Sequence, residues 1–324
     1  MKSEYLDRNL ALETVRVTEI AALASSLHMG RGNEKAADQS AVNAMRNFLN
    51  NLMISGKIVI GEGERDKAPM LYIGEKVGKG GPKVDIALDP LEGTTITAHG
   101  GENALSVLAM GEEGSFLHSP DIYMHKIAYG KNFQNLNIDP EKPADEIVRK
   151  FSDYSNIKIE NVVVCILDRP RHNELIEMIR STGARIKLIP DGDVSAVIAT
   201  SIDDSGIDMY MGIGGSPEGV LGAAALRCLG GKIYSKLIFD KEEIFERAKT
   251  MGIKDKNTIY TTNDLAKGDV MFSATGVTDG TMLKGVHYKN NIATTHSVVM
   301  RSKTNTVRYI IANHDLNKKN INIF

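Results

Sequence analysis

The chain has little of what would mark it as a specialised scaffold. It holds only two cysteines in 324 residues, too few for a disulfide framework. Cys165 lies in an apolar strand-like run and Cys228 in a helix-like run, so both are read as reduced core thiols, neither bridged nor catalytic. No apolar run reaches membrane-spanning length. The N-terminus shows an amphipathic pattern carrying acids, which is not the pattern of a signal peptide. An excess of one charge is missing as well. Lys and Arg number 39 against 41 Asp and Glu, a formal net charge of −2, and no Lys/Arg-rich run stands out. A nucleic-acid or membrane-surface role therefore gains no support. There is no repeat of fixed period. These absences leave a cytoplasmic globular chain, long enough to bury a large core and to form two domains.

What is present is a recurring design of apolar runs that end on acids and glycines. The run 84–89 reads as a buried strand, and Asp89-Pro90-Leu91-Glu92-Gly93-Thr94 follows it. Pro90 is expected to stop the strand and turn the chain. Asp89 and Glu92 then stand three residues apart, and carboxylates that close repel unless a cation sits between them. Hard divalent ions take such oxygen ligands. Gly93 and Thr94 offer backbone N–H groups and a hydroxyl to an anion. Taken alone, the segment is equally well an acidic surface turn. The run 57–60 leads in the same way into Gly61-Glu62-Gly63-Glu64-Arg65-Asp66, and the run 209–213 into Gly214-Gly215-Ser216-Pro217-Glu218-Gly219. Pro217 suits a first helical turn, so Glu218 falls near a helix N-terminus, where complementing the helix dipole would explain it. Three strand ends that each deliver acids and glycines look more like a cation cluster than like three ordinary turns. Gly212-Ile213-Gly214-Gly215 lacks the spacing of a dinucleotide-binding loop and is not read as one.

Hydrophobic periodicity gives the organisation. Helices are expected over 10–27 and 38–53, and strands over 57–61, 84–89, 104–110 and 122–129. Asp38 starts a helical pattern, where an N-cap role would account for it. The polar stretch 130–143, with Pro140 and Pro143, is the expected boundary between an α+β domain (1–142) and an α/β domain (143–324). A return of the C-terminal strands to the first domain is the alternative left open. Helices over 144–154, 170–181, 193–200 and 218–229 alternate with strands over 161–167, 185–189 and 207–211. Strands and turns fill 269–311, and a frayed tail is expected over 317–322.

Asp89-Pro90-Leu91-Glu92-Gly93-Thr94 resembles the metal-binding signature of the lithium-sensitive inositol and fructose phosphatase superfamily. More narrowly, the chain is similar to class II fructose-1,6-bisphosphatases of the GlpX type. The resemblance rests on Gly30-Arg31-Gly32, Asp38, Gly61-Glu62-Gly63-Glu64, Ala68-Pro69-Met70-Leu71-Tyr72, Pro120-Asp121-Ile122-Tyr123-Met124, Arg169-Pro170-Arg171-His172, Pro190-Asp191-Gly192-Asp193 and Gly214-Gly215-Ser216-Pro217-Glu218-Gly219. These motifs run in order from about residue 10 to 308. Arg169 stands where the family pattern carries Lys, which keeps the charge and changes the donor geometry.

The resemblance implies a five-layer α/β/α/β/α sandwich with two mixed sheets and flanking helices. It implies hydrolysis of the 1-phosphate of fructose 1,6-bisphosphate, in gluconeogenesis, with two or more Mn²⁺ or Mg²⁺ ions. Asp38, Glu62, Asp89, Glu92 and Glu218 are the implied metal ligands, with the Leu91 carbonyl as a further one. Glu64 and Asp66 are outer candidates. Thr94, Asp38 and Glu62 are the implied catalytic groups, with Thr94 holding the attacking water and Asp38 its hydrogen-bond partner. Glu92, Gly93, Thr94, Tyr123, Arg169, Pro170, Arg171, Asp191, Gly192, Asp193 and Gly215 are the implied substrate contacts. Arg169-Pro170-Arg171 otherwise reads as a solvated pair, and Asp191-Gly192-Asp193 as an ordinary strand-to-helix turn. His125 and His172 receive no role. A homodimer or homotetramer is implied. Sedoheptulose 1,7-bisphosphate as an additional substrate, an inositol or other monophosphate substrate, and a non-catalytic sugar-phosphate sensor are the competing readings.

Overall fold

The computed structural model describes residues 2–63, 70–133 and 135–319, with side chains from residue 10 onward. Glu64, Asp66 and the expected tail beyond residue 319 lie outside the described residues. In chain order the first elements are α1 (Lys2–Ser26), α2 (Glu34–Leu49), β1 (Ser55–Ile60), β2 (Lys76–Val77), β3 (Lys83–Glu92), α3 (Thr94–His99) and β4 (Leu105–Glu112). Next come β5 (Tyr123–Tyr129), α4 (Ala144–Ser155), β6 (Val163–Leu167), α5 (Asn173–Ser181), β7 (Arg185–Ile189), α6 (Asp193–Ala199), β8 (Met209–Gly215) and α7 (Ser216–Leu229). The chain continues through β9 (Lys232–Leu237), α8 (Glu242–Thr250), β10 (Ile259–Thr261), α9 (Thr262–Leu265), β11 (Val270–Gly276), β12 (His287–Lys289), β13 (Ile292–Arg301) and β14 (Thr306–Asp315).

These elements form two compact units, residues 1–116 with 268–324, and residues 117–267. The crossings fall at 116/117 and 267/268 instead of 142/143. Hydrogen bonding explains the difference. β11 pairs antiparallel with β4 along its whole length, so the C-terminal strands complete the first unit's sheet. β5, expected in the first domain, pairs with β8 and β9 of the second unit.

The first unit holds, among the described residues, an eight-stranded mixed sheet in the order β12-β13-β11-β4-β3-β1-β2, with β14 on β13. β1 and β3 are parallel and the other pairs antiparallel. α1 packs on α2 and on β11 and β13. Buried Ala21, Ala22, Ala37 and Ala41 add little bulk where the helices join the core cluster, whose larger members include Leu23, Met45, Leu49, Ile58, Ile86 and Leu108. α2 starts at Asn33, whose side chain accepts the Ala36 N–H at 3.0 Å. Asp38 therefore sits past the first turn and is not the cap.

Pro90 does not end β3. The strand runs on to Glu92 with a register shift between Asp89, opposite Val107, and Glu92, opposite Leu105. Three steps on β3 span two on β4, a β-bulge that absorbs the residue lacking an N–H.

The second unit holds, among its described residues, a six-stranded mixed sheet in the order β10-β9-β5-β8-β6-β7. β6 is parallel to both β7 and β8. Its core includes Ile127, Tyr129, Phe151, Val164, Ile166 and Met209. Cys165 and Cys228 are buried and unbridged, and burial pushes the Cys165 thiol up to about 12. Two mixed sheets with flanking helices agree with the expected class.

α1 carries polar groups into the first unit's core. The Thr18 hydroxyl meets that of Thr275 at 2.8 Å, and Thr275 meets Ser297 at 2.8 Å. Nearby, Thr295 lies 2.8 Å from His314 Nε2 and donates to Glu19 at 3.3 Å. Burial, reinforced by Lys319, lowers His314 from 6.5 to about 4, while burial raises Glu19. As pH falls from 6.5 towards 4 the unfolded chain takes up a proton that folded His314 refuses, so stability drops. Glu19 works in the opposite sense as its raised value is crossed. Urea denaturation across that window should show a shallower loss for His314→Gln, which keeps a side-chain nitrogen for Thr295, than for the parent. Equal slopes would exclude His314 as the titrating group.

Candidate active site

In the first unit, parallel pairing decides which side chains share an edge. Ile60 of β1 stands opposite Ala87 of β3, so Glu62 and Asp89 each lie two residues further towards the same carboxyl ends. Ligand sites in such sheets lie at this edge. α2, which carries Asp38, packs against both β3 and α3. The Asp89 carboxylate accepts the Leu91 N–H at 2.9 Å across the bulge. Asp89 and Glu92 each present a carboxylate oxygen, the two within 4.8 Å of one another. Glu92 is only 4% exposed. A hard cation fits such a pair of oxygens, and no thiolate or imidazole in the pair favours a softer ion.

Gly93 follows with φ of +88°, a left-handed conformation costly for other residues, and this turn opens α3 at Thr94. The Thr94 hydroxyl donates to the Leu91 carbonyl at 3.2 Å. Among the described residues that carbonyl, and not Asp38, is the partner of the Thr94 hydroxyl. Burial raises the Asp38 carboxyl above its ordinary value, because desolvation disfavours the charged form.

The second unit repeats the principle. Arg169-Pro170-Arg171 follows β6, Asp191-Gly192-Asp193 follows β7, and Glu218 lies just after β8. β6 runs parallel to β7 and β8, so all three segments leave the sheet at one edge. Tyr123 joins them there, because antiparallel β5 starts with Tyr123 opposite Gly215. The Arg171 guanidinium stacks 4.8 Å from the centre of the Tyr123 ring and donates to the Ile213 carbonyl at 3.1 and 2.8 Å. The Arg169 guanidinium stands 4.0 Å from the Asp191 carboxylate, both partly exposed. Gly215 matters as a space: a Cβ there would lie 2.0 Å from Glu218 Oε2. Glu218 thus folds back over the strand end from the first turn of α7.

Of the expected sugar contacts, Asp193 differs from the rest. It is 5% exposed, and its Oδ2 accepts from Lys126 at 2.5 Å and from Tyr210 at 3.2 Å. Neither partner was read from the sequence. The available signal was one lysine inside the apolar run of β5. His172 is a structural group. It is buried, its Nδ1–H donates to the Leu167 carbonyl at 2.7 Å, and its Nε2 accepts the Ile213 N–H at 2.8 Å. With both nitrogens committed and its pKa lowered chiefly by burial, it does not shuttle protons. His172→Phe should cost roughly 2 kcal/mol or more of stability by orphaning two buried backbone groups. The pH–rate profile of the folded variant should keep its shape, and a lost limb would restore a proton-transfer role.

Acids gathered at the carboxyl edge of parallel strands, beside a tight glycine turn, are the equipment of a phosphatase. The chain belongs to the family of bacterial, glpX-encoded fructose-1,6-bisphosphatases, whose model matches residues 8–314. It is 46% identical to the fructose-1,6-bisphosphatase 1 class 2 of Escherichia coli, over 96% of this chain and 97% of that one. It is 43% identical to the D-fructose 1,6-bisphosphatase class 2/sedoheptulose 1,7-bisphosphatase of Synechocystis, over 95% and 97%. A solved structure, the Thermotoga maritima IMPase, aligns at 16% identity and a TM-score of 0.31 over 63% of this chain and 79% of that one, a likeness too slight to carry weight.

Proposed function

We propose that this protein removes the 1-phosphate of fructose 1,6-bisphosphate, and that divalent cations are required. Family membership along nearly the whole chain carries the reading, and the adjacent Asp89 and Glu92 oxygens supply the chemistry. Asp38, Glu62, Asp89, Glu92 and Glu218 would hold the ions, Mn²⁺ in preference to Mg²⁺. Bound there, the ions would supply the positive charge that acidifies an attacking water and offsets charge on the transferring phosphoryl group.

The protein's own groups orient the reaction. Gly93 and Thr94 N–H groups hold the 1-phosphate. With its proton given to Leu91, the Thr94 hydroxyl offers lone pairs to a water, and Asp38 takes that water's proton. The water oxygen bonds to phosphorus, the P–O bond to C1 breaks, and a proton returns to the C1 oxygen. Fructose 6-phosphate and phosphate result. Tyr123, Arg169, Pro170 and Arg171 hold the remote 6-phosphate, since guanidinium forks match phosphate oxygens. Asp191, Gly192, Asp193 and Gly215 orient the sugar. Glu64 and Asp66 remain outer candidates.

The Synechocystis relative's name favours a second reading, a wider bisphosphatase that also takes sedoheptulose 1,7-bisphosphate. The two arginines argue against a monophosphate substrate, and Thr94 against a sensor that only binds. No described helix is long and apolar enough to cross a membrane, and a cytoplasmic dimer or tetramer fits the reading.

Phosphate release from a panel of sugar and inositol mono- and bisphosphates tests the proposal. Fructose 1,6-bisphosphate should lead with Mn²⁺ or Mg²⁺, and EDTA should abolish turnover. Turnover that survives exhaustive chelation would falsify the cation requirement. Thr94→Ala should lower kcat by roughly 10²–10⁴ with KM changed little, whereas near-parental kcat would remove Thr94 from the water-handling step.

A further inference from the structure

Lys126 is completely buried, at 0% exposed, a rare state for lysine unless it is paired. Its ammonium makes two bonds, to Asp193 Oδ2 at 2.5 Å and to the Gly215 carbonyl at 2.9 Å. The Tyr210 hydroxyl adds a third bond to the cluster by donating to the same Asp193 oxygen at 3.2 Å. Burial holds the Tyr210 phenol well above its ordinary value, so it acts as a neutral donor. The cluster fills space that Gly214 leaves open: a Cβ there would lie 2.1 Å from Asp193 Oδ2 and 2.8 Å from Lys126 Nζ.

The two acceptors of Lys126 belong to different segments. Asp193 ends the turn after β7 and starts α6. Gly215 ends β8 and caps α7, whose first turn carries Glu218. Glu218 in turn lies against Gly215, in the space a side chain there would take. One compact, threefold donor on β5, the strand beside β8, reaches both segments, and a planar guanidinium would not match that arrangement.

We propose that Lys126 is a positioning residue that clamps the sugar-side turn 191–193 to the Gly215–Glu218 turn, so that substrate contact and cation ligand are set from one buried ammonium. The inference rests on the assignment of those turns under Proposed function. Removing the ammonium leaves the Asp193 carboxylate buried with Tyr210 as its remaining side-chain donor, and leaves the Gly215 carbonyl without its Lys126 bond. Both segments then relax at once. Among the described residues the Tyr210 hydroxyl hydrogen-bonds to Asp193 and meets Glu218 only through a weaker charge interaction, so its loss acts mainly on the sugar side.

The experiment compares the full-length parent, Lys126→Met and Tyr210→Phe. It reads Mn²⁺ affinity by electron paramagnetic resonance without substrate, and KM and kcat for fructose 1,6-bisphosphate, with unfolding midpoints confirming the folded state. Lys126→Met should raise KM about tenfold and weaken Mn²⁺ about fivefold, while Tyr210→Phe should raise KM about threefold with Mn²⁺ affinity unchanged. Folded Lys126→Met with both constants within about twofold of the parent overturns the proposal, as does a fall in kcat alone, which is what a smaller active fraction gives. Should Lys126→Met fail to fold, Tyr210→Phe decides: raised KM with parental Mn²⁺ affinity supports the clamp, and unchanged KM or weakened Mn²⁺ refutes it. A parent that neither binds Mn²⁺ nor turns over the bisphosphate refutes the functional reading itself, and the clamp falls with it.

Discussion

Parallel strand pairing is the constraint on which the chemistry of this protein depends. Parallel neighbours end at the same edge, so segments far apart in the chain deliver their side chains together. In the first unit, β1 and β3 bring Glu62 and Asp89 to one edge. In the second, β6, β7 and β8 do the same for Arg169, Asp191 and Gly215. The antiparallel strands around them supply register and burial. β4 holds β3 through the bulge at Pro90, and β5 aligns Tyr123 with Gly215.

Negative charge is handled differently in the two units. Asp193 is neutralised by the protein's own Lys126 and is almost wholly buried. Such a pair is worth keeping less for net stability than for what it fixes, because desolvation offsets much of its attraction. Among the described residues no ammonium pairs with Asp38, and burial raises its carboxyl. An acid in that state gains from an incoming cation what Asp193 already has from lysine. The first arrangement fixes geometry permanently; under the proposed function, the second would make charge neutralisation conditional on a cation.

Much of this was legible in the chain itself. The run 185–189 is β7 to the residue, and the helix over 144–154 differs from α4 by one residue. Both are short elements with unambiguous periodicity and turn residues at their ends. Asp89, Glu92 and Glu218 could be singled out because acids and glycines closing apolar runs break local pattern. The Pro90 reading failed because proline's missing N–H was taken as a stop, whereas a bulge accommodates it without ending the pairing. The boundary at 130–143 was drawn from local composition. The observed crossings depend on β11 finding β4 more than 150 residues away in the chain, which no local signal encodes. His172 and Lys126 were unreadable for a related reason. A histidine or lysine in an apolar stretch does not announce which carbonyls, amides or carboxylates the fold will bring to it.

By itself, then, the sequence determined the alternation of elements, the family, and which strand ends bear acids, arginines and glycines, because these follow from periodicity and from short contiguous motifs. Tertiary structure alone decided that Thr94 donates to Leu91, that His172 is locked between two backbone groups, and that Lys126 joins Asp193 to Gly215. Hydrogen-bond partners are chosen by distance and burial in three dimensions, and the order of residues along the chain does not specify either.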